Sequence, residues 1–180
     1  MPVTQGLTVW FTGLSGAGKS TLAEALGRTF RDRSHRVEVL DGDEIRATLS
    51  TGLGFSRADR DTNVRRIGHV ARLLSRNGVV AIVAAISPYK NARDEVRALH
   101  EAPFVEVFVE CPIDELVRRD GKGLYAKAIG GTLPHFTGIS DPYEAPDRAD
   151  VTVHTGREAP EASLATIVDW LEQHALIARP

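Results

Sequence analysis

The stretch FTGLSGAGKST, Phe11 to Thr21, constrains the fold more than any other part of the chain. Gly13, Gly18, Lys19 and Ser20 satisfy the spacing G-x-x-x-x-G-K-[ST] without a gap. The apolar run Leu7 to Thr12 before it reads as a strand. The residues from Ser20 to about Arg33 read as a helix with Leu22, Ala25, Leu26 and Phe30 on one side. A strand that enters a glycine-rich turn and then a helix points successive backbone N–H groups into one concavity, and the helix adds the positive end of its dipole. Such a cradle holds a phosphate chain. Gly13, Leu14, Ser15, Gly16, Ala17 and Gly18 would supply the loop, and Lys19 would reach β- and γ-phosphate oxygens. The Ser20 hydroxyl would ligate magnesium, and Thr21 would add a hydroxyl near the α-phosphate. The expected ligand is a nucleoside triphosphate with Mg2+.

The rest of the chain alternates. RVEVL (36–40), VVAIVAAI (79–86), FVEVFVE (104–110) and VTVH (151–154) read as further strands, and the almost wholly apolar second of these suits a strand buried on both faces. Between them lie helical patterns: a short one after LDGD, a long one from Ser56 to Gly78 with Ser56 and Asp59 as a capping pair, then NARDEVRALH, PIDELVRRD and a closing EASLATIVDWLEQHAL. Alternation of this kind predicts βαβ units: an α/β fold with a five-stranded parallel sheet flanked by helices. Residues 1–180 read as one domain. The Gly- and Pro-containing stretch from about 121 to 147 breaks the rhythm, and a loop of that length in a compact domain is expected to act as a lid.

Composition excludes more than it assigns. The net charge of −2 gives no reason to expect nucleic acid or an anionic membrane as a partner. A single cysteine, Cys111, permits no internal disulfide and fits a reducing cytosol. No charged region followed by an apolar core opens the sequence, so no signal peptide is expected, and no run approaches the roughly 18 apolar residues of a membrane span. A cytoplasmic location is the expectation. The histidines lack metal-ligand spacing.

A phosphate loop alone does not name a reaction. Guanine-nucleotide switches need an N-K-x-D motif, which is absent here, and the chain length with a late lid favours a kinase of a small molecule. In parallel α/β sheets, ligands bind beyond the carboxyl ends of the strands. Asp41 and Asp43 sit there after the second strand, where a carboxylate would orient an acceptor hydroxyl or hold magnesium through water. Arg60 and Asn63 share a helical side. Arginine suits a phosphate or sulfate, but the chemistry alone leaves open whether the two face a ligand or solvent. Arg65, Arg66, Arg72 and Arg76 read as a solvated face. Ser87, directly after VAAI, is placed equally well to bind a ligand oxygen or to cap the next segment. Phe55 and Phe136 lie in loops, where two rings would sandwich a flat base.

Taken together, GLSGAGKST, LDGD with IR, LGFS, DR with N and RRIG, ISPY, EVFV, KGLY and FTGISDPYE stand in the order seen in adenylyl-sulfate kinases, and the chain resembles that family almost end to end. The resemblance implies a P-loop fold and transfer of a phosphoryl group from ATP, with Mg2+, to the 3′-hydroxyl of adenosine 5′-phosphosulfate (APS), giving 3′-phosphoadenosine 5′-phosphosulfate (PAPS). It implies a homodimer and a separate ATP sulfurylase upstream. By residue, it implies that Gly13 to Ser20 hold the ATP phosphates and that Lys19, Asp41, Asp43 and Ser87 are catalytic, Ser87 often being labelled a phosphoserine intermediate. It gives Arg46, Arg60 and Asn63 to the phosphosulfate end or the sugar, Phe55 and Phe136 to the acceptor's adenine, and Ile86 and Ser87 to the pocket lining. Lys122 and Lys127 correspond to lid lysines and Arg119 to an arginine beside ATP. The sequence departs from the family pattern at Glu44, Ala85, Ala126, Ser140 and the DGKG of 120–123. The alternatives are a kinase for another small nucleotide or a sugar acid, and a non-catalytic nucleotide sensor.

Overall fold

A computed structural model describes residues 6–178. Strands β1 (Leu7–Thr12), β2 (Val37–Asp41), β3 (Val80–Ala84), β4 (Phe104–Glu110) and β5 (Val151–His154) form one sheet, every neighbouring pair parallel, in the order β2-β3-β1-β4-β5. The connections carry α1 (Lys19–Asp32), α2 (Gly42–Ala47), α3 (Arg57–Arg76), α4 (Lys90–Ala98), α5 (Ile113–Arg119) and α6 (Leu124–Ile129), and α7 (Pro160–Gln173) closes the chain. The five expected strands and the parallel arrangement are all present.

Alternation along β1 divides its side chains between two cores. Leu7, Val9 and Phe11 join Leu22, Leu26 and Phe30 of α1 and Ile167 and Leu171 of α7. Trp10 points the other way, among Val64, Ile67 and Ala71 of α3 and Ala92 and Val96 of α4. Full burial of each large side chain contributes about 1.5–3 kcal/mol, so β1 is firmly held from both sides. Ser56 caps α3, its hydroxyl accepting from the Asp59 N–H at 3.1 Å, as the sequence pattern predicts. Of the other rings read as core, Phe104, Phe108 and Trp170 are only partly buried.

The segment from 121 to 147, expected as loop throughout, contains α6. The helix starts after Gly123 (φ 66°) and is capped by the Asp120 carboxylate, which accepts from the Ala126 N–H at 2.9 Å. Six residues are too few for a helical period to emerge from sequence, and the flanking glycines disguise the helix as loop.

Strand register places the site. Asp41 pairs with Ala84, and Ala84 pairs with Phe11, so these three lie on one line across the sheet. The loop after β1, the turn after β2 and the ISPY stretch after β3 therefore leave the sheet side by side.

Candidate active site

The loop between β1 and α1 is shaped by contacts that only glycine permits. A Cβ on Gly13 would come 2.5 Å from the Val109 carbonyl oxygen of β4. Gly18 precedes α1 at φ 101°, a left-handed conformation costly to any residue with a Cβ. It carries no side chain to cap the helix, and the first N–H groups of an α-helix have no intrahelical partner. The loop's amides and the dipole of the 14-residue α1 thus converge on one spot. Lys19 is buried, and its Nζ donates to the Leu14 carbonyl at 2.7 Å. Burial pushes its ammonium down to about 8, against the raising influence of Asp41 and Asp43.

Beside this loop the Asp41 carboxylate is used at both oxygens. Oδ2 accepts from the Ser20 hydroxyl at 2.5 Å, and Oδ1 accepts from the Asp43 N–H at 2.9 Å, which starts α2. Ser20 and Asp41 are hard oxygen donors of the kind Mg2+ takes, together with water and phosphate oxygens. Among the described residues no cluster of three or more His, Cys, Asp or Glu could hold a metal. The donor set therefore fits an ion that arrives with a polyphosphate. Asp43 stands free of the turn, its side chain 87% exposed, with Lys122 Nζ 3.7 Å away as its ion partner.

These groups face a cleft of about 360 Å³ lined also by Arg46, Arg60, Asn63, Ile86, Ser87, Arg119, Lys122 and Tyr125. Arg60 is buried and ties two loops together: its Nε donates to the Phe55 carbonyl at 3.0 Å and its second guanidinium nitrogen to the His135 carbonyl at 2.5 Å. Arg46 and Arg60 both lie over the Phe55 ring, at 4.5 and 5.4 Å from its centroid. Burial holds both guanidinium pKa values below the ordinary arginine range, and the Arg46 charge adds to the lowering at Arg60. Two cations over one ring concentrate positive charge at this end of the cleft, an arrangement whose chemistry suits an anion. Asn63 is buried, lines the same cleft, and its Oδ1 has no hydrogen-bond partner among the described residues. A buried orphan acceptor costs about 1–3 kcal/mol unless a ligand meets it.

Ser87 does not fit the role of a reacting group. It is buried, its hydroxyl accepts from Trp10 Nε1 at 3.0 Å, and it donates to the Ala85 carbonyl at 3.2 Å. Its proton is committed inside the fold, and its backbone (φ 43°) is held by Arg93, which donates to the Ser87 carbonyl at 2.7 Å. Besides Gly13, Leu14 and Ala17 of the phosphate loop itself, three sequence candidates lie outside the residues lining the cleft. Lys127 is an exposed residue in the last turn of α6. Phe136 packs edge to face on Tyr125 with centroids 4.9 Å apart. Phe55 is half exposed beneath its two arginines. Arg119 is on the cleft wall, donating to the Thr155 carbonyl at 2.8 Å and paired with Glu115.

Sequence reasoning missed several supports. The Thr12 hydroxyl donates to the Ile86 carbonyl at 2.7 Å and accepts from Tyr143 at 2.9 Å, joining β1 to both the ISPY stretch and the far end of the 121–147 segment. Thr155 donates to the Ala17 carbonyl at 2.7 Å. Buried Arg93 bridges Glu106 of β4, the Ser87 carbonyl and the Glu144 carbonyl. All span 51 or more residues except the contacts within 87–106, and no local pattern announces them.

Comparison with known proteins agrees with this geometry. The family described as Adenylylsulphate kinase matches residues 5–154. An adenylyl-sulfate kinase from Myxococcus xanthus is 58% identical over 175 residues, covering 96% of this chain and 94% of that protein. A probable bifunctional SAT/APS kinase 2 from Sorangium cellulosum is 59% identical over 97% of this chain, which spans only 30% of that longer protein. Among solved structures, the APS kinase of Mycobacterium tuberculosis in complex with AMPPNP and APS superposes with a TM-score of 0.88 at 43% identity, covering 93% of this chain and 98% of that one.

Proposed function

The chain belongs to the adenylylsulphate kinase family, and from that premise we propose how its own residues carry out the reaction. It is an ATP-dependent kinase that uses Mg2+ and phosphorylates APS at the 3′-hydroxyl to give PAPS. The observation that carries the residue assignment is the contact between the phosphate loop and the acidic turn. Ser20 and Asp41 are hydrogen bonded at 2.5 Å, and Asp43, two residues on, is the exposed carboxylate beside them.

In this reading the loop amides and Lys19 surround the β- and γ-phosphates and stabilise charge as it shifts during transfer. Magnesium, when bound with ATP, neutralises phosphate oxygens; Ser20 would hold it directly and Asp41 through water. Asp43 accepts the hydrogen bond of the 3′-hydroxyl, aims that oxygen in line with the γ-phosphoryl group, and takes its proton. Arg46 and Arg60 hold the phosphosulfate anion, and Asn63 Oδ1 accepts from a sugar hydroxyl. Phe55 and Phe136 flank the acceptor's adenine, and Ile86 lines the pocket. Direct in-line transfer requires no phosphorylated Ser87, and the committed Ser87 proton supports that. Arg119 lies beside ATP, while Lys122 and Lys127 belong to a lid over residues 121–147. Closure of that lid excludes water, which would otherwise compete as acceptor.

We further propose a homodimer in the cytoplasm, in keeping with the family resemblance and the single cysteine; no described helix is long and apolar enough to cross a membrane. APS is a mixed anhydride of sulfate and the AMP phosphate, and we propose a separate ATP sulfurylase as its source. The test is to give the protein ATP, Mg2+ and a panel of nucleotides and sugar acids, and to identify which gains a 3′-phosphate. APS alone turning over supports the assignment. Turnover of another acceptor in its place overturns the substrate, and ATP binding with no turnover overturns the enzyme.

A further inference from the structure

The segment from 120 to 144 touches the end of β1 and the phosphate loop through three of its residues. Tyr143 donates to Thr12 Oγ1, Gly138 lies so close that an added Cβ would meet Leu14 Cδ2 at 2.8 Å, and the Tyr125 hydroxyl donates to the Ser15 carbonyl at 2.6 Å. The last contact acts on the phosphate site itself. A peptide unit is planar and trans, so its N–H points opposite to its C=O. Fixing the Ser15 carbonyl toward Tyr125 therefore fixes the direction of the Gly16 N–H on the other side of the chain. Gly16 lines the cleft and sits at φ 75°, with only Leu116 Cδ2 (3.8 Å) within 4 Å of a Cβ built there. That residue has unusual rotational freedom, and the tyrosine removes it. The preceding carbonyl, of Leu14, is taken by Lys19 at 2.7 Å, so two successive peptides of the loop are held by side-chain donors.

The other side of Tyr125 meets Phe136, which the proposed function gives to the acceptor's adenine. Its ring is buried and meets Phe136 edge to face at 4.9 Å and 80°. We propose that Tyr125 is a positioning residue that orients the Ser15–Gly16 peptide for the triphosphate and couples that loop to the Phe136 side of the acceptor pocket. The half of this that concerns Phe136 rests on the kinase reading above; the half that concerns Gly16 does not. Burial pushes the Tyr125 hydroxyl up to about 12, so it remains a donor at any pH the enzyme meets.

The test is Tyr125→Phe, which keeps the ring against Phe136 and deletes the donor. Binding of AMPPNP with Mg2+ is measured by calorimetry, alongside KM for ATP and for APS and the melting temperature. Loss of one neutral hydrogen bond predicts AMPPNP binding and KM for ATP about fivefold weaker, with KM for APS changed less than about twofold. AMPPNP binding unchanged, with only the melting temperature lowered, would show a structural role and overturn the proposal. Phe136→Ala then probes the coupling from the opposite side. It should weaken AMPPNP binding by about threefold in the wild-type chain and have almost no effect in the Tyr125→Phe background. Equal effects in both backgrounds overturn the coupling. The AMPPNP measurements need no acceptor, so failure of APS turnover in the wild type would strike the kinase reading and leave the loop claim to its own result.

Discussion

Asn63 offers a test in which stability and binding should move in opposite directions. It is buried on α3, lines the cleft, and its Oδ1 has no partner among the described residues. A buried acceptor without a hydrogen bond costs about 1–3 kcal/mol, so the free protein carries a strain that a ligand hydroxyl relieves. Asn63→Leu substitutes an apolar side chain of the same branching and heavy-atom count. With about 1 kcal/mol recovered, a chain of this length should melt roughly 2–4 °C higher. The same change removes one hydrogen bond to the acceptor, which at about 1 kcal/mol raises KM for APS about fivefold while KM for ATP stays put. Differential scanning calorimetry of the ligand-free protein and steady-state kinetics with each substrate varied give both numbers. Functional sites are expected to sacrifice stability in this way. A variant that melts lower than wild type and binds APS normally would refute the reasoning, because Asn63 would then be a satisfied core residue.

Three further outcomes follow from single features. Asp43→Asn should lower kcat by about 10²–10⁴ while nucleotide binding by calorimetry changes little, since the exposed carboxylate is assigned to the acceptor and not to the triphosphate; retained kcat removes that role. His100 donates through Nδ1 to the Val96 carbonyl, packs on Phe104, and has a buried Nε2 with no partner among the described residues, so burial holds its pKa below the usual 6.5 despite that bond and Glu101. The unfolded chain then binds the proton more readily, stability falls as pH drops below 6.5, and His100→Phe should flatten the decline in melting temperature there; parallel declines would exonerate the histidine. Gly68→Ala would push a methyl to 2.6 Å from Val96 Cγ2 where α3 crosses α4. Overpacking of that sort costs about 1–3 kcal/mol. Adding Val96→Ala should restore part of the loss on a denaturation curve, and strictly additive losses would count against the clash.

What the sequence disclosed is whatever the chain encodes locally. The phosphate loop is contiguous, so its glycines, Lys19 and Ser20 can be read directly, and the Ser56–Asp59 cap and the apolar β3 run are legible for the same reason. Pairings between distant residues left no trace. Tyr125 and Ser15 are 110 residues apart, Tyr143 and Thr12 are 131, and neither pair shares a period or a motif. Arg60 was visible as a cation, but not its use as a brace between the Phe55 and His135 carbonyls. Residue type also says nothing about how much bonding capacity survives folding. Ser87 and Asn63 looked equally suited to a ligand on paper. In the folded chain the Ser87 proton already serves the Ala85 carbonyl, while Asn63 retains a buried acceptor that no described residue meets. A side chain is free to act on a substrate only to the extent that the fold has not already engaged it, and by that measure we assign Asn63 to the chemistry of the cleft and Ser87 to its wall.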